Sequence, residues 1–180
     1  QQAGTSFFVN QIAFFIDGKI ETRILNKTLQ EIIARHEIFR TRLIVPPGMT
    51  LPIQSVSDEP LFDFAIRENA VQADSQMEFA RALLSDEAQF RCDVAVSPVV
   101  RVCLAPVGVD AGFLVVTVPS ILCDSRTLLL LAQEIITVYQ QVQTETPDEN
   151  EQVQFVQFSE WQNELNESTE AQVGREFWQN

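Results

Sequence analysis

The sequence contains one histidine in 180 residues, His36, so no mechanism that needs a histidine pair can be assembled within this chain. Cysteines are few as well. Cys92, Cys103 and Cys123 form no CxxC pair and leave an odd thiol, an arrangement expected of a reduced, cytoplasmic setting rather than of a secreted protein. No apolar run approaches the roughly 20 residues that cross a bilayer, and the first residues lack the charged and apolar regions of a signal peptide. A Gly-rich phosphate loop is missing, as is any clustering of His, Cys and acids, so no metal, nucleotide or flavin cofactor is expected. Basic residues are scarce: 12 Lys and Arg face 25 Asp and Glu, a formal charge of −13. That balance excludes a duplex nucleic-acid binder, which needs a cationic stripe to displace counterions, and disfavours docking on an anionic membrane.

The shortage of bases is local. Residues 1–126 hold 11 bases and 15 acids, whereas residues 127–174 hold nine acids and no base. Such a run is read either as a solvated face with a flexible connector or as a surface for a basic partner. Thr144 to Gln152 has no apolar residue and is expected to be an exposed loop. Repeats, Gly/Ser linkers and low-complexity tracts are absent. Residues 1–180 are therefore expected to form a single unit, and 46% hydrophobic residues suffice for a core.

Hydrophobic periodicity alternates between strand and helix. Phe8 to Ile16 is aromatic and β-branched, and ends at the Asp17-Gly18 turn. Leu25, Leu29, Ile32, Ile33 and His36 then fall on one side of a helix. Strands are expected over Phe39–Val45, near Leu51–Val56 and over Leu61–Ile66. Asp74 is a candidate N-cap for a helix lined by Met77, Ala80, Leu84 and Ala88. Val99–Ala105 and Gly112–Val118 predict two more strands, the second apolar enough to be buried on both faces. Asp124 or Ser125 is a candidate cap for a helix with an apolar stripe of Leu128, Leu131, Ala132, Ile135 and Tyr139. Further helices are expected around Phe155–Leu165 and around Val173–Trp178. Interleaved strands and helices indicate a layered α/β fold.

Several segments in this order resemble condensation domains of nonribosomal peptide synthetases. Arg35-His36-Glu37-Ile38-Phe39-Arg40-Thr41-Arg42-Leu43 is similar to their RHExLRTxF motif. Phe90-Arg91-Cys92-Asp93 and Pro98-Val99-Val100-Arg101-Val102 resemble the FD(L)…PLLRV segment, and Phe155 to Gln162 resembles YxDYAxWQ, with Trp161 at its tryptophan. Phe177-Trp178 matches an aromatic-Trp pair of the family. The resemblance implies a lobe of the chloramphenicol-acetyltransferase type: a mixed β-sheet flanked by helices, here the N-terminal lobe alone, without its opening helix. It also implies structural roles for Arg35, His36, Arg40, Asp124 and Trp161, with an Asp124–Arg40 or Asp124–Arg35 ion pair; capping of the next helix is the simpler role for Asp124.

Where the family carries HHxxxDG, this chain reads Pro119-Ser120-Ile121-Leu122-Cys123-Asp124-Ser125. Pro119 and Ser120 replace both histidines, Asp124 is kept, and Ser125 replaces the glycine. A serine hydroxyl without an adjacent base is neither a base nor a cation near neutral pH. Cys123 beside Asp124 is a poor nucleophile, because a neighbouring carboxylate raises a thiol's pKa. No GxSxG elbow surrounds Ser120. The expectation is thus a truncated, catalytically inactive condensation-like lobe with no catalytic residue. Inactive relatives recruit other enzymes, which implies docking to neighbouring synthetase domains or to an accessory enzyme. The alternative is the N-lobe of an acyltransferase whose C-lobe is supplied elsewhere. A homodimer covering the face that a second lobe would occupy is the third expectation.

Overall fold

In a computed structural model of the chain, residues 8–68, 75–90, 92–95, 99–145 and 153–179 are described. The chain divides into two compact units, Gln1–Asp148 and Glu149–Asn180. In the first, β1 (Val9–Asp17) leads through a turn to α1 (Thr22–Arg35), then a 3-10 turn (Glu37–Arg40) and β2 (Thr41–Ile44). β3 (Ile53–Val56), β4 (Asp63–Ile66), α2 (Gln76–Glu87), β5 (Arg101–Pro106), β6 (Ala111–Pro119) and α3 (Ser125–Thr144) follow. The second unit holds α4 (Phe155–Glu167) and α5 (Thr169–Gln179).

The main sheet has the order β1-β6-β5-β4. β6 pairs antiparallel with both β1 and β5, whereas β4 joins β5 in parallel, so the sheet is mixed. β2 and β3 form a separate antiparallel pair.

Strand alternation distributes β6 between two cores. Leu114, Val116 and Val118 face the cluster built with Leu25, Leu29, Ile32 and Ile33 of α1 and Leu128, Leu131, Ile135 and Val138 of α3. Phe113 and Val115 face the opposite cluster, where Cys103 and Ala105 of β5 meet Leu83 of α2. The expected layered α/β architecture and the doubly buried strand are both present.

Local details depart from the periodicity. Phe39 was expected in a strand, but Glu37–Arg40 is a 3-10 turn and β2 begins only at Thr41. The turn sinks Phe39 into the core and lets the Thr41 hydroxyl donate to the Glu37 carbonyl at 2.8 Å. In α2 the expected stripe holds in part: Ala80 and Leu84 pack against the second cluster, whereas Met77 and Ala88 are exposed and Leu83 and Glu87 are the buried residues. The Ser75 hydroxyl accepts from the Glu78 amide at 3.2 Å and caps this helix; Asp74 lies outside the described residues. At the end of α3, Glu145 adopts a left-handed conformation with φ 55°, and the remainder of the acidic loop, residues 146–152, lies outside the described residues.

Candidate functional site

Pro119 to Ser125, the segment expected to hold no catalytic residue, is the crossover from β6 to α3. β6 is buried along nearly its whole length, so it delivers Pro119 and Ser120 to a fixed place at the sheet's end. There the Ser120 amide donates to the Phe8 carbonyl at 2.8 Å, and the Asn10 side-chain amide donates to the Cys123 carbonyl at 2.6 Å. β1 therefore clamps both sides of the turn. Ser120 itself is exposed, and its hydroxyl has no hydrogen-bond partner among the described residues.

Neither neighbour activates it. The Cys123 thiol is buried and pushed up to about 11, first by burial and second by the Asp124 charge. At neutral pH it is a packed thiol rather than a thiolate.

Asp124 caps α3. Its Oδ1 accepts from both the Thr127 amide and the Thr127 hydroxyl, each at 2.7 Å, and these bonds hold its carboxyl below the usual range. The expected ion pair to Arg35 or Arg40 does not form, because both arginines are committed elsewhere. Arg35 Nη1 lies 2.7 Å from Glu134 Oε1 on α3. Arg40 donates to the carbonyls of Ile33 and Ala34 at 3.2 and 3.1 Å, and to that of Ser57. Those first two carbonyls belong to the last turn of α1, where orphan acceptors and the helix dipole favour a cation. Capping, not pairing, is the role that the local geometry gives Asp124.

His36 makes its contacts with Glu134 and Phe39, not with residues of the crossover. Its Nε2 lies 2.8 Å from Glu134 Oε2, and its ring meets Phe39 edge-on at 5.8 Å. Glu134 thus ties the end of α1 to the middle of α3. Burial pushes the Glu134 carboxyl up, but the bonds to His36 and Arg35 outweigh it and leave the net direction down.

A second charged cluster had no forecast. Glu87 on α2 is 1% exposed and sits between two arginines: Arg101 Nε at 2.5 Å and Arg67 Nη2 at 2.8 Å. Arg101 also bonds Asp63 on β4, and its guanidinium lies 5.2 Å from the Phe90 ring centre. The signal was present: an arginine inside the run Val99-Val100-Arg101-Val102 demands a buried partner. Sequence could not say which acid supplies it. Phe90 and Arg101, from the two halves of the FD…RV segment, are thereby brought into contact; Arg91 and Pro98 lie outside the described residues.

In the second unit, Trp161 is 56% exposed and its ring centre lies 5.7 Å from that of Phe158. No residue of α4 is buried. Among the described residues no group of three or more His, Cys, Asp and Glu could hold a metal, and no helix is long and apolar enough to cross a membrane.

The family model for the condensation domain matches residues 1–180. The chain belongs to the condensation-domain family. Tyrocidine synthase 3 of Brevibacillus parabrevis is 29% identical over 164 residues, which is 91% of this chain and 2% of the synthase. Gramicidin S synthase 2 of Brevibacillus brevis is 28% identical over 165 residues, 92% of this chain and 3% of that protein. Among solved structures, SgcC5 from Streptomyces globisporus superposes with a TM-score of 0.81 at 21% identity, over 97% of this chain and 40% of that one. The starter condensation domain of rhizomide synthetase RzmA gives 0.79 at 20% identity, over 96% and 41%. The chain therefore spans a few per cent of the synthetases it matches and about two fifths of the solved chains. These likenesses agree with the mixed sheet flanked by helices, which is the chloramphenicol-acetyltransferase-type fold of condensation domains.

Proposed function

We propose that this chain is a condensation-family lobe without catalytic function, serving as a structural and docking module for neighbouring synthetase domains or an accessory enzyme. The observation that carries the reading is the crossover from Pro119 to Ser125, which holds no group able to take a proton from an acceptor amine near neutral pH. Ser120 lacks a base, the Cys123 thiol is protonated, Asp124 is spent on the helix cap, and the sole histidine is bound to Glu134. The docking half rests on exposed apolar side chains along α3, namely Leu129, Leu130 and Ile136, with Ile121 in the turn before it. Several exposed apolar residues on one helix support a docking role. One structural neighbour, an X-domain matched with a TM-score of 0.70 at 19% identity, was solved in complex with OxyB from teicoplanin biosynthesis, which supports a recruiting role.

Amide formation by the longest natural form of the protein, supplied with loaded donor and acceptor carrier proteins, tests the first half. Turnover abolished by Ser120→Ala would overturn it in favour of the second reading, an acyltransferase lobe completed by a C-lobe. Pull-down with the adjacent synthetase domains and accessory enzymes tests the second half, and Leu130→Glu should abolish any capture. Sedimentation of the purified chain separates such a partner from a homodimer covering the same apolar residues.

A further inference from the structure

β1 is an outer strand of the main sheet, paired on one side only, with β6. The Ser120 amide donates to the Phe8 carbonyl and the Gly18 amide to the Asp110 carbonyl. In this antiparallel register the even-numbered residues of β1 therefore turn their main-chain groups to β6. The odd-numbered ones, Gln11, Ala13 and Phe15 among them, turn theirs outward, where they meet no backbone partner among the described residues. Nothing in the strand guards this edge. Its pairing with β6 runs without a bulge from Val9 to Asp17, and it holds neither proline nor lysine.

A cleft of about 340 Å3 lies beside the same edge, with the C-terminal half of α3 as its far wall. Four successive residues of β1, Phe14 to Asp17, line it. Strand alternation sends the Phe15 and Asp17 side chains to the α2 face, where Phe15 meets Phe113. What those two residues offer the cleft is the main-chain edge. Ile16, Ile20, Leu25 and Ile135 give it an apolar bed, and its volume is within the range of binding pockets.

We propose that the free edge of β1 and this cleft together bind an extended, lysine-flanked segment of a partner chain as an added strand. The proposal names the kind of partner for the docking role above, and rests on that reading. The segment's main chain bonds the outward groups of Gln11, Ala13 and Phe15. Its alternate apolar side chains enter the cleft, and the others lie on the α2 face. Charge decides between the two strands that could fill this edge. The β1 of a second copy would bring a further charge of −13 against an α3 with no base after Arg126, whereas a basic segment meets a field of opposite sign.

Calorimetric titration of the full chain with the capped heptapeptide Lys-Thr-Leu-Thr-Val-Thr-Lys tests it. One site should saturate, with an affinity that falls as salt is raised. Amide exchange followed by NMR should slow at Gln11, Ala13 and Phe15, whose N–H groups are open in the free chain. In an added strand only every second residue turns its N–H toward β1. N-methylation of one alternating set, the threonines or the leucine and valine, should therefore cost at least about tenfold, and N-methylation of the other set should be tolerated. Ala13→Pro removes an outward N–H without touching a bond to β6 and should weaken the peptide by a similar factor, with the melting curve checking the fold. The methylated peptides decide the matter even if that variant does not fold. No saturation, equal effects of the two methylated sets, protection elsewhere than β1, or a dimer of the free chain that the peptide fails to dissociate would each overturn the assignment. Capture of a synthetase domain that Leu130→Glu abolishes but the peptide does not compete away would overturn it as well, and would leave the docking reading standing.

Discussion

Replacing Glu87 by alanine removes the central acid of the Arg67–Glu87–Arg101 cluster, and the structure allows the effect to be sized. Breaking a buried ion pair by deleting one partner costs about 3–5 kcal/mol, because the remaining charge stays desolvated. Arg67 is partly exposed and can turn to solvent, and Arg101 keeps Asp63, so the low end applies: about 3 kcal/mol. For a domain of this size that corresponds to a fall in Tm of about 6–12 °C. Far-UV circular dichroism is the proper probe. A pH series adds a second readout. Burial pushes the Glu87 carboxyl up, but the Arg101 and Arg67 hydrogen bonds prevail and its folded pKa is lowered from 4.5. A lowered folded pKa contributes stability that is present above about pH 4.5 and is lost as the pH falls through the folded value. Glu87→Gln should flatten that acid-side decline as well as lower Tm. A loss under about 1 kcal/mol for Glu87→Ala, or an unchanged acid limb for Glu87→Gln, would refute the claim that this cluster holds α2 to the sheet.

Other outcomes follow from the same geometry. Glu134→Ala removes the partner of both Arg35 and His36 and should cost about 2 kcal/mol in urea unfolding, with the acid-side slope reduced in the same sense as for Glu87, since the Glu134 pKa is also lowered. Arg40→Ala should cost about 2 kcal/mol through three abandoned carbonyls, and Arg40→Lys should recover only part, because an ammonium cannot span them. Asp124→Ala should lower Tm by freeing the first turn of α3, yet Arg35→Ala should lower it additively, which a direct Asp124–Arg35 pair would not allow. All three thiols are buried and pushed up to about 11, so a thiol reagent at mild alkaline pH should find none in the native chain and all three after denaturation.

Order along the chain, periodicity and composition were enough to read the alternating elements, the doubly buried strand β6 and the family. These depend on residues near one another in sequence, where a helical stripe or an alternating run carries its own signal. That Pro119 and Ser120 stand where the resemblance implies two histidines was likewise a matter of sequence alone. Phe39 shows where local reading stops: its residues suit a strand, and only the packing of α1 against the sheet makes a 3-10 turn the better way to bury the ring. Partner choice among charged groups lay further beyond reach. Asp124 was paired with an arginine by resemblance, yet the arginines bind Glu134 and the end of α1, because strand order and helix crossing decide which charges meet. The buried Glu87 was invisible on an otherwise polar helix until the sheet placed Arg101 opposite it. The sequence by itself determined which residues stand at the crossover; the tertiary structure alone decided which side chains hold the lobe together, since those contacts join residues up to 118 positions apart.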